Sequence, residues 1–332
     1  MTSKRNALIF TCLCITLALL FCLNVCKGDT YWLWPFGHLA EQDWMIFRDI
    51  RLPKAITAVL AGAALSVSGL IMQTLFRNPL AGPYTLGVSS GASLGVALLT
   101  MCTAVISVQL SSFGLQFLLP FAACVGASLV LLLVIAVSRR VKSNVSLLIV
   151  GMMFGSIAGA LVSLMQMFAN PDALKIFIMW TLGSISTNWS DLQMLIPILV
   201  IGTFFVVTAL KPLNGLLLGE DYARGLGINV TRTRLLIVVA TGLLAGGVTA
   251  FCGPIAFIGV AVPHLARGIF HTSNHRVTVP ASALTGACLL LVCDTLCSLF
   301  KYPLPISTVI TPIGAAISMP APKAAAAGVS IR

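Results

Sequence analysis

The sequence contains very little charge. Asp, Glu, Lys and Arg make up only 9% of its 332 residues, whereas 58% are hydrophobic and the mean hydropathy is +1.02. Because soluble domains carry about 25% charged residues, this scarcity excludes an ordinary water-soluble globular protein. The apolar residues form long unbroken runs rather than short alternating segments, which favours spanning helices over a transmembrane barrel.

The familiar catalytic and nucleotide-binding motifs are also absent. The chain has no GxxxxGK[ST] loop to hold the phosphates of ATP, and it has no HExxH or GxSxG. His271 and His275 are spaced i,i+4, but they flank the polar residue Asn274, and we predict a solvated loop there rather than a metal site. We therefore predict no catalytic residue, no metal site and no cofactor bound by this chain.

The ten cysteines suggest a disulfide set at first sight, but no CxxC pair occurs. Cysteine in an apolar run acts as a small hydrophobic side chain. We therefore predict neither a disulfide framework nor a metal-binding cluster. The cysteines that lie in or beside apolar runs are Cys12, Cys14, Cys22, Cys102, Cys124, Cys252, Cys288, Cys293 and Cys297.

At roughly 20 residues per span, the apolar runs predict about ten transmembrane helices. The first run follows Lys4 and Arg5; it is longer than the core of a usual signal peptide and lacks a small-x-small cleavage site, so we predict an uncleaved first span. A shorter apolar stretch at 176–185 predicts a partial or interfacial helix. The runs lie near residues 7–26, 55–76, 84–106, 113–137, 145–168, 192–210, 234–251, 254–270 and 279–300, and a tenth begins near Pro305.

Small residues recur at helical spacing within several spans. In lipid such residues let helices approach closely, so they predict tight packing inside a bundle. The sets are Gly62, Ser66 and Gly69; Gly151, Gly155 and Gly159; and Gly242, Gly246 and Gly247.

The distribution of basic residues predicts the orientation of the chain. Placing the N-terminus in the cytoplasm and alternating the spans puts most of the 20 Lys and Arg residues inside, as the positive-inside rule requires. The net charge of +11 then reflects topology rather than a nucleic-acid-binding surface, and we predict no nucleic-acid partner. Asp294 falls within a span, where it is either a coupling charge or a buried packing residue.

Three segments stand out from the apolar background. The first comprises residues 51–54, which open a span, and 77–91, which follow it. In 77–91 two prolines and three glycines interrupt helix at membrane depth, and such backbone must line a cavity or be buried in protein. The second, 218–230, is the most polar inside loop and predicts a short surface helix presented to a cytosolic partner. The third is GPIAFIGVAVPHLAR at 253–267.

These segments carry a resemblance. RLPK…G…QTLFRNPLAGPYTLGVSSGA, LGEDYARGLGINV and GPIAFIGVAVPHLAR occur in the order typical of the FecCD family, across residues 45–314. That family comprises the permeases of bacterial ABC importers for ferric siderophores, haem and cobalamin. The resemblance implies an all-α integral membrane protein with the type II importer permease fold, one polytopic domain over 1–332, in the bacterial cytoplasmic (inner) membrane.

The resemblance also implies partners. Two cytosolic ATPase subunits would bind ATP and Mg²⁺, a periplasmic or lipid-anchored substrate-binding protein would dock outside, and the permease would form a homodimer or a close heterodimer. The ATPases would contact the loop at 211–233, for which the alternative is a plain solvated loop. The coupling residues implied are Gly219, Glu220, Ala223, Arg224, Leu226 and Gly227.

Two further sets of residues follow from the resemblance. Arg51 and Lys54 would pair with acids of the binding protein, or else serve only as interfacial anchors. Many relatives carry an Arg four residues after the Asp of the ninth span; here that position is Ser298, and Lys301 is the candidate substitute. The translocation path would include Asn78, Pro79, Gly82, Pro83, Gly87, Ser89, Ser90 and Gly91.

The C-terminus departs from the family pattern. Residues 305–314 begin a normal last helix, but Pro320 and Pro322 are poor interior helix residues. We predict a short or broken tenth span and an atypical, cytosolic tail at 315–332. 

The resemblance implies the permease of an importer for a ferric siderophore or similar metal chelate, with cobalamin or haem as alternative cargo. The alternative class is an ATPase-independent secondary transporter, which usually needs more intramembrane charge than Asp294 supplies.

Overall fold

The computed structural model describes residues 2–27, 32, 40–102, 112–138, 144–185, 188–299 and 304–318. All regular secondary structure in these ranges is helical. The α-helices are α1 (Thr2–Lys27), α2 (Glu41–Ile46), α3 (Leu52–Phe76), α4 (Val88–Ala97), α5 (Ser112–Ser138), α6 (Asn144–Phe168), α7 (Pro171–Thr181), α8 (Trp189–Leu216), α9 (Glu220–Gly225), α10 (Val230–Cys252), α11 (Ile258–Phe270), α12 (His275–Cys297) and α13 (Ile306–Ser318).

The ten predicted apolar runs each correspond to a helix. Seven of the described helices are long and apolar enough to cross a membrane, and the remaining three runs form shorter apolar helices at Val88–Met101, Ile258–Phe270 and Ile306–Ile317. The predicted partial helix is α7, which has 11 residues. The all-helical membrane architecture expected from the sequence is therefore confirmed.

Two of the short helices follow irregular backbone. Gly87 (φ 74°) directly precedes α4, and Gly253 (φ 73°) begins the non-helical link to α11. Positive φ is easy for glycine and ends a helix at that point. These links are buried by packing: the hydroxyl of Tyr84, within the 3₁₀ turn Pro83–Leu86, accepts a hydrogen bond from the backbone N–H of Ile255 at 3.2 Å. The freed backbone is thus satisfied inside the protein, as lipid requires.

Helix α3 forms the centre of the bundle. It packs against α10, α11 and α12. In the most apolar 18-residue stretch of its span 78% is buried inside the protein, compared with 22% for the corresponding stretches of α5 and α6. The central helix is rich in Ala, Gly and Ser, whereas α6 exposes large side chains such as Met153 and Leu164. This distribution is expected in lipid, where close packing rather than water drives helix association.

Two of the predicted small-residue positions on α3 mark close contacts with other helices. A Cβ on Gly69 would overlap the backbone carbonyl of Gly259, and a Cβ on Gly62 would overlap that of Gly286. Gly159, in contrast, has nothing within 4 Å of its would-be Cβ. The close-packing prediction therefore holds for α3 but not for every glycine that the pattern selected.

The last helix, α13, is described over 13 residues and contains Pro312. The short or broken tenth span stays a prediction, because it depends on where this helix ends. The described residues end at Ser318, so Pro320, Pro322 and the rest of the predicted 315–332 tail lie outside them.

Candidate functional site

The predicted coupling segment forms a short helix at one end of the bundle, which we call the α9 end. Gly219 (φ 115°) precedes α9 and Gly227 (φ 77°) follows it, so glycines allow the sharp turns at both ends. The backbone N–H of Ile228 donates to the carbonyl of Ala223 at 3.0 Å, which closes the segment. A short helix between glycines is the arrangement that the sequence predicted.

Helix α9 has a buried side and an exposed side. Ala223 is fully buried against α8, while Glu220 bridges to the buried guanidinium of Arg234 on α10 at 3.6 Å. Arg224 and Leu226 are exposed, with Leu226 at 58%. The six predicted coupling residues thus divide into those that fix the helix to α8 and α10 and those that present a surface.

Sequence reasoning missed part of this exposed surface. Tyr222 is 55% exposed and the side chain of Asp221 is fully exposed. Asp221 lies three residues before Arg224, so a helical wheel drawn on the predicted segment would have placed it beside Arg224.

A polar cluster fastens three helices just behind the α9 end. The ring of His275 contacts the amide oxygen of Asn214 through Nδ1 and the hydroxyl of Thr74 through Nε2, each at 2.8 Å. His275 is only 1% exposed. The prediction of a solvated loop is therefore wrong for His275, because the side chain turns into the junction of α3, α8 and α12, although His271 is exposed as predicted.

Arg51 lies at the opposite end of the bundle, which we call the Asp294 end. Its guanidinium donates to the carbonyls of Val25 and Cys26 at 3.2 and 2.8 Å, and the residue is 5% exposed. These carbonyls belong to the last turn of α1, which a cation stabilises by satisfying orphan acceptors and complementing the helix dipole. In this chain Arg51 fastens α1 to the start of α3.

Lys54 is partly buried beside an acid. Its ammonium lies 3.5 Å from Oδ1 of Asp294, and the amide of Asn24 donates to Oδ2 of the same carboxylate at 2.8 Å. Asp294 is 4% exposed. The acid that the sequence placed within a span therefore joins α1, α3 and α12, as a packing residue would.

This cluster lines a cavity of about 350 Å³ that also involves α7 and α13. Asn188 and Ser298 contribute polar groups to its wall. The ammonium of Lys27 lies 3.4 Å from the hydroxyl of Ser298, so a cation from α1 reaches the position where many relatives were expected to carry an arginine. The sequence analysis did not single out Lys27; Lys301, which it did, lies outside the described residues.

The structure distributes the predicted translocation residues over two environments. Asn78 and Pro79 line a pocket of about 250 Å³ at the α9 end. Gly87 and Gly91 lie against other helices of the same chain, where a Cβ would meet backbone of α6 and α5 respectively, and Gly82 and Pro83 are also buried. 

The remaining two predicted translocation residues, Ser89 and Ser90 in the first turn of α4, are half-buried. Within the described ranges, no group of three or more His, Cys, Asp or Glu side chains is placed to hold a metal ion.

Comparison with known proteins identifies the family to which this chain is similar. The chain matches the FecCD transport family over residues 9–319. The uncharacterized ABC transporter permease protein YvrB of Bacillus subtilis is 36% identical over 290 residues, which are 85% of this chain and 80% of that protein. The vitamin B12 import system permease protein BtuC of Citrobacter koseri is 34% identical over 317 residues, which are 95% of this chain and 93% of that protein.

The fold agrees with these relatives. A solved structure of an inward-facing ABC transporter, described as metal-chelate type, matches with a TM-score of 0.82 at 28% sequence identity and covers 93% of this chain and 96% of that one. In such transporters the hydrolysis of ATP is carried by a separate subunit, so the lack of catalytic motifs here is in keeping with the subunit's role. The chain is a multi-pass, non-catalytic permease subunit of an ABC importer and belongs to the FecCD transport family.

Proposed function

We propose that this permease moves a ferric siderophore or a similar metal chelate inward across the bacterial cytoplasmic membrane. The observation that carries the proposal is the match over nearly the whole chain to an importer of metal-chelate type. Cobalamin is the second candidate, because a permease named for vitamin B12 import aligns over 95% of this chain. Haem import by the same mechanism ranks third.

ATP and Mg²⁺ would bind to two cytosolic ATPase subunits, which would receive α9. The exposed side chains of Tyr222, Arg224 and Leu226 supply the contact surface. The buried Ala223 and the bridge from Glu220 to α10 supply rigid attachment, so a displacement of α9 moves α8 and α10 with it. Rigid elements of this kind can carry a motion from an interface into a bundle.

A periplasmic or lipid-anchored binding protein would dock at the Asp294 end. The docking roles of Arg51, Lys54 and Lys301 stay predictions. Of the two that lie in the described residues, the geometry supports a docking role for Lys54 more than for Arg51. Arg51 is buried beneath the end of α1, which supports an internal role, whereas Lys54 lines the open cavity and can exchange its pairing with Asp294 for a partner carboxylate. Charged contacts of this type speed and orient association more than they add affinity.

The substrate path would run between two copies of the chain. Ser89 and Ser90 on α4, together with Asn78 and Pro79 at the α9 end, are the predicted path residues that keep some exposure within the single chain. The buried glycines of the same segment support the path indirectly, because they let α4 pack closely on α5 and α6.

The proposed topology puts the N-terminus, α9 and the tail in the cytosol. It can be tested with single cysteines introduced at Asp172 and Ala325 in a cysteine-free background. We expect a membrane-impermeant thiol reagent to label position 172 in intact spheroplasts and position 325 only after the membrane is opened. Labelling of position 325 from outside would contradict the orientation.

The cargo is tested by uptake. Cells lacking their own permeases would express this chain with its neighbouring ATPase and binding protein, and would be given radiolabelled ferric siderophore, labelled cobalamin or labelled haem. We expect ferric siderophore to accumulate. Accumulation of cobalamin alone would assign the second candidate. Accumulation of no label, even after the tenth helix is restored to full length, would contradict the importer proposal for these cargoes.

A further inference from the structure

We propose that Arg77 and Arg267 form a binding site for a carboxylate side chain of the ATPase subunit, distinct from the contact made by α9 itself. The proposal rests on the proposed docking of an ATPase at α9 and adds a second, charge-specific contact to it. Arg77 ends α3, and Arg267 lies in the last turn of α11. Together they line the pocket of about 250 Å³ at the α9 end.

The described lining of the pocket has many hydrogen-bond donors and no negatively charged side chain. Its lining contains no Asp or Glu, and neither guanidinium forms an ion pair with a carboxylate in the described part of the chain. Arg267 donates to the side-chain oxygen of Gln73 at 2.8 Å, which uses one of its five N–H groups. Ser273 and Asn78 add further donors to the wall. Two guanidinium groups at one pocket fit a carboxylate, which they can bind in a bidentate manner.

The backbone of Arg77 provides independent support. It adopts the left-handed conformation (φ 49°) that caps α3, and the N–H of Asn78 donates back to the carbonyl of Gln73 at 3.2 Å. Glycine is the usual residue at such a position, and any other residue costs about 1 kcal/mol there. A non-glycine residue held in a disfavoured conformation points to a use for its side chain.

The location of the pocket favours a protein ligand over a lipid. The pocket is formed by the end of α3 together with residues of α11 and of the link that follows α8, and none of its described lining residues belongs to the lipid-facing helices α5 and α6. It also abuts the start of α9, since a Cβ added to Gly219 would lie 3.7 Å from Nη1 of Arg77. A subunit docked on α9 would cover the pocket and could insert an acidic side chain.

The test measures binding of the purified ATPase subunit to the full-length permease in nanodiscs of zwitterionic lipid, over a series of salt concentrations. The variants are Arg77→Gln and Arg267→Gln, with Arg77→Lys and Arg267→Lys as charge-preserving forms. Arg276→Gln is the matched control, because Arg276 is an exposed arginine near the same end that does not line the pocket. Thermal unfolding of each variant is recorded alongside.

We expect each Gln variant to weaken ATPase binding about tenfold and to flatten its salt dependence. The Lys variants should recover part of the affinity, and the control should match the unaltered chain. Arg267 also lies at the C-terminal end of α11, where a cation stabilises the helix; loss of that role lowers the unfolding temperature without changing the salt dependence. If Arg267→Gln does not fold, the exposed Arg77 still provides the test.

ATPase binding by both Gln variants that equals that of the control overturns the proposal. Thermal unfolding repeated with added phosphatidylglycerol then separates two readings of that result: loss of the stabilisation by this lipid in the Gln variants would assign the pocket to a lipid headgroup, and unchanged stabilisation would leave it without either ligand. Failure of the unaltered permease to bind the ATPase at all is a separate outcome, since it contradicts the proposed coupling at α9 and not this pocket alone.

Discussion

Nζ of Lys54 lies 3.5 Å from Oδ1 of Asp294, and this pair joins α3 to α12 at the end of the bundle opposite α9. The side chains are 21% and 5% exposed respectively, so the pair is sheltered but open to the cavity on one side. A buried carboxylate needs a cation and hydrogen bonds to offset its desolvation. Lys54 and Asn24 supply both.

Replacing Lys54 should therefore destabilise the fold. We expect Lys54→Met to lower the free energy of unfolding by about 2 kcal/mol, less than for a fully buried pair because Lys54 is partly solvated. Chemical unfolding of the purified protein measures this change. The double variant Lys54→Met/Asp294→Asn should be more stable than Lys54→Met, since the uncompensated charge is gone; equal stability of the single variant and the unaltered chain would contradict the ion pair.

Gly69 should not tolerate a methyl group. A Cβ there would overlap the carbonyl of Gly259, and backbone cannot move aside cheaply. We expect Gly69→Ala to cost about 3 kcal/mol or more and to lower the yield of folded protein. Gly159→Ala is the matched control on α6, where the Cβ meets nothing; helix propensity predicts that it is neutral or slightly stabilising. Thermal unfolding in detergent distinguishes the two, and similar behaviour would argue against the close α3–α11 contact.

His275 should be important for stability, whereas His271 should not. His275→Ala removes the two hydrogen bonds that the buried ring makes with Asn214 and Thr74, so we expect a loss of about 2 kcal/mol. His271 is exposed with φ 50°, a conformation that asparagine also accepts, so His271→Asn should change stability by less than about 0.5 kcal/mol. Equal effects in unfolding experiments would be inconsistent with the buried cluster.

The surface of α9 should determine coupling rather than folding. We expect Glu220→Ala/Arg224→Ala to reduce uptake at least about tenfold while the assembled transporter still hydrolyses ATP, because the two changes remove an exposed contact and the bridge to α10. Arg232→Ala, an exposed arginine on α10, is the control. Uptake and hydrolysis are measured in the same proteoliposomes, and unchanged uptake in the double variant would refute a coupling role.

Much of the architecture could be predicted because it depends on local properties. Hydropathy over some 20 residues identifies a span without knowledge of its neighbours, and each of the ten predicted runs contains a helix within the described residues. The short helix α9 could also be predicted from a local property, because glycines on both sides of a polar segment limit the length of the helix.

What the sequence could not show is contacts between distant residues. The docking role predicted for Arg51 stays a prediction, but the sequence did not indicate that its guanidinium donates to carbonyls on α1, 25 and 26 residues away. His275 was assigned to solvent, yet its partners lie 61 and 201 residues away. No local pattern distinguishes a polar residue near a helix end that faces water from one that faces another helix.

The sequence by itself therefore determined that this protein spans the membrane through about ten apolar segments, which family it resembles and which short helix it presents. Only the tertiary structure decided how its few charges are used: Arg51 fastens α1, Lys54 pairs with Asp294, and Arg77 and Arg267 line one pocket. The physical reason is that hydrophobicity is a property of each segment, whereas the cost of burying a charge depends on which groups from other helices lie within hydrogen-bonding distance.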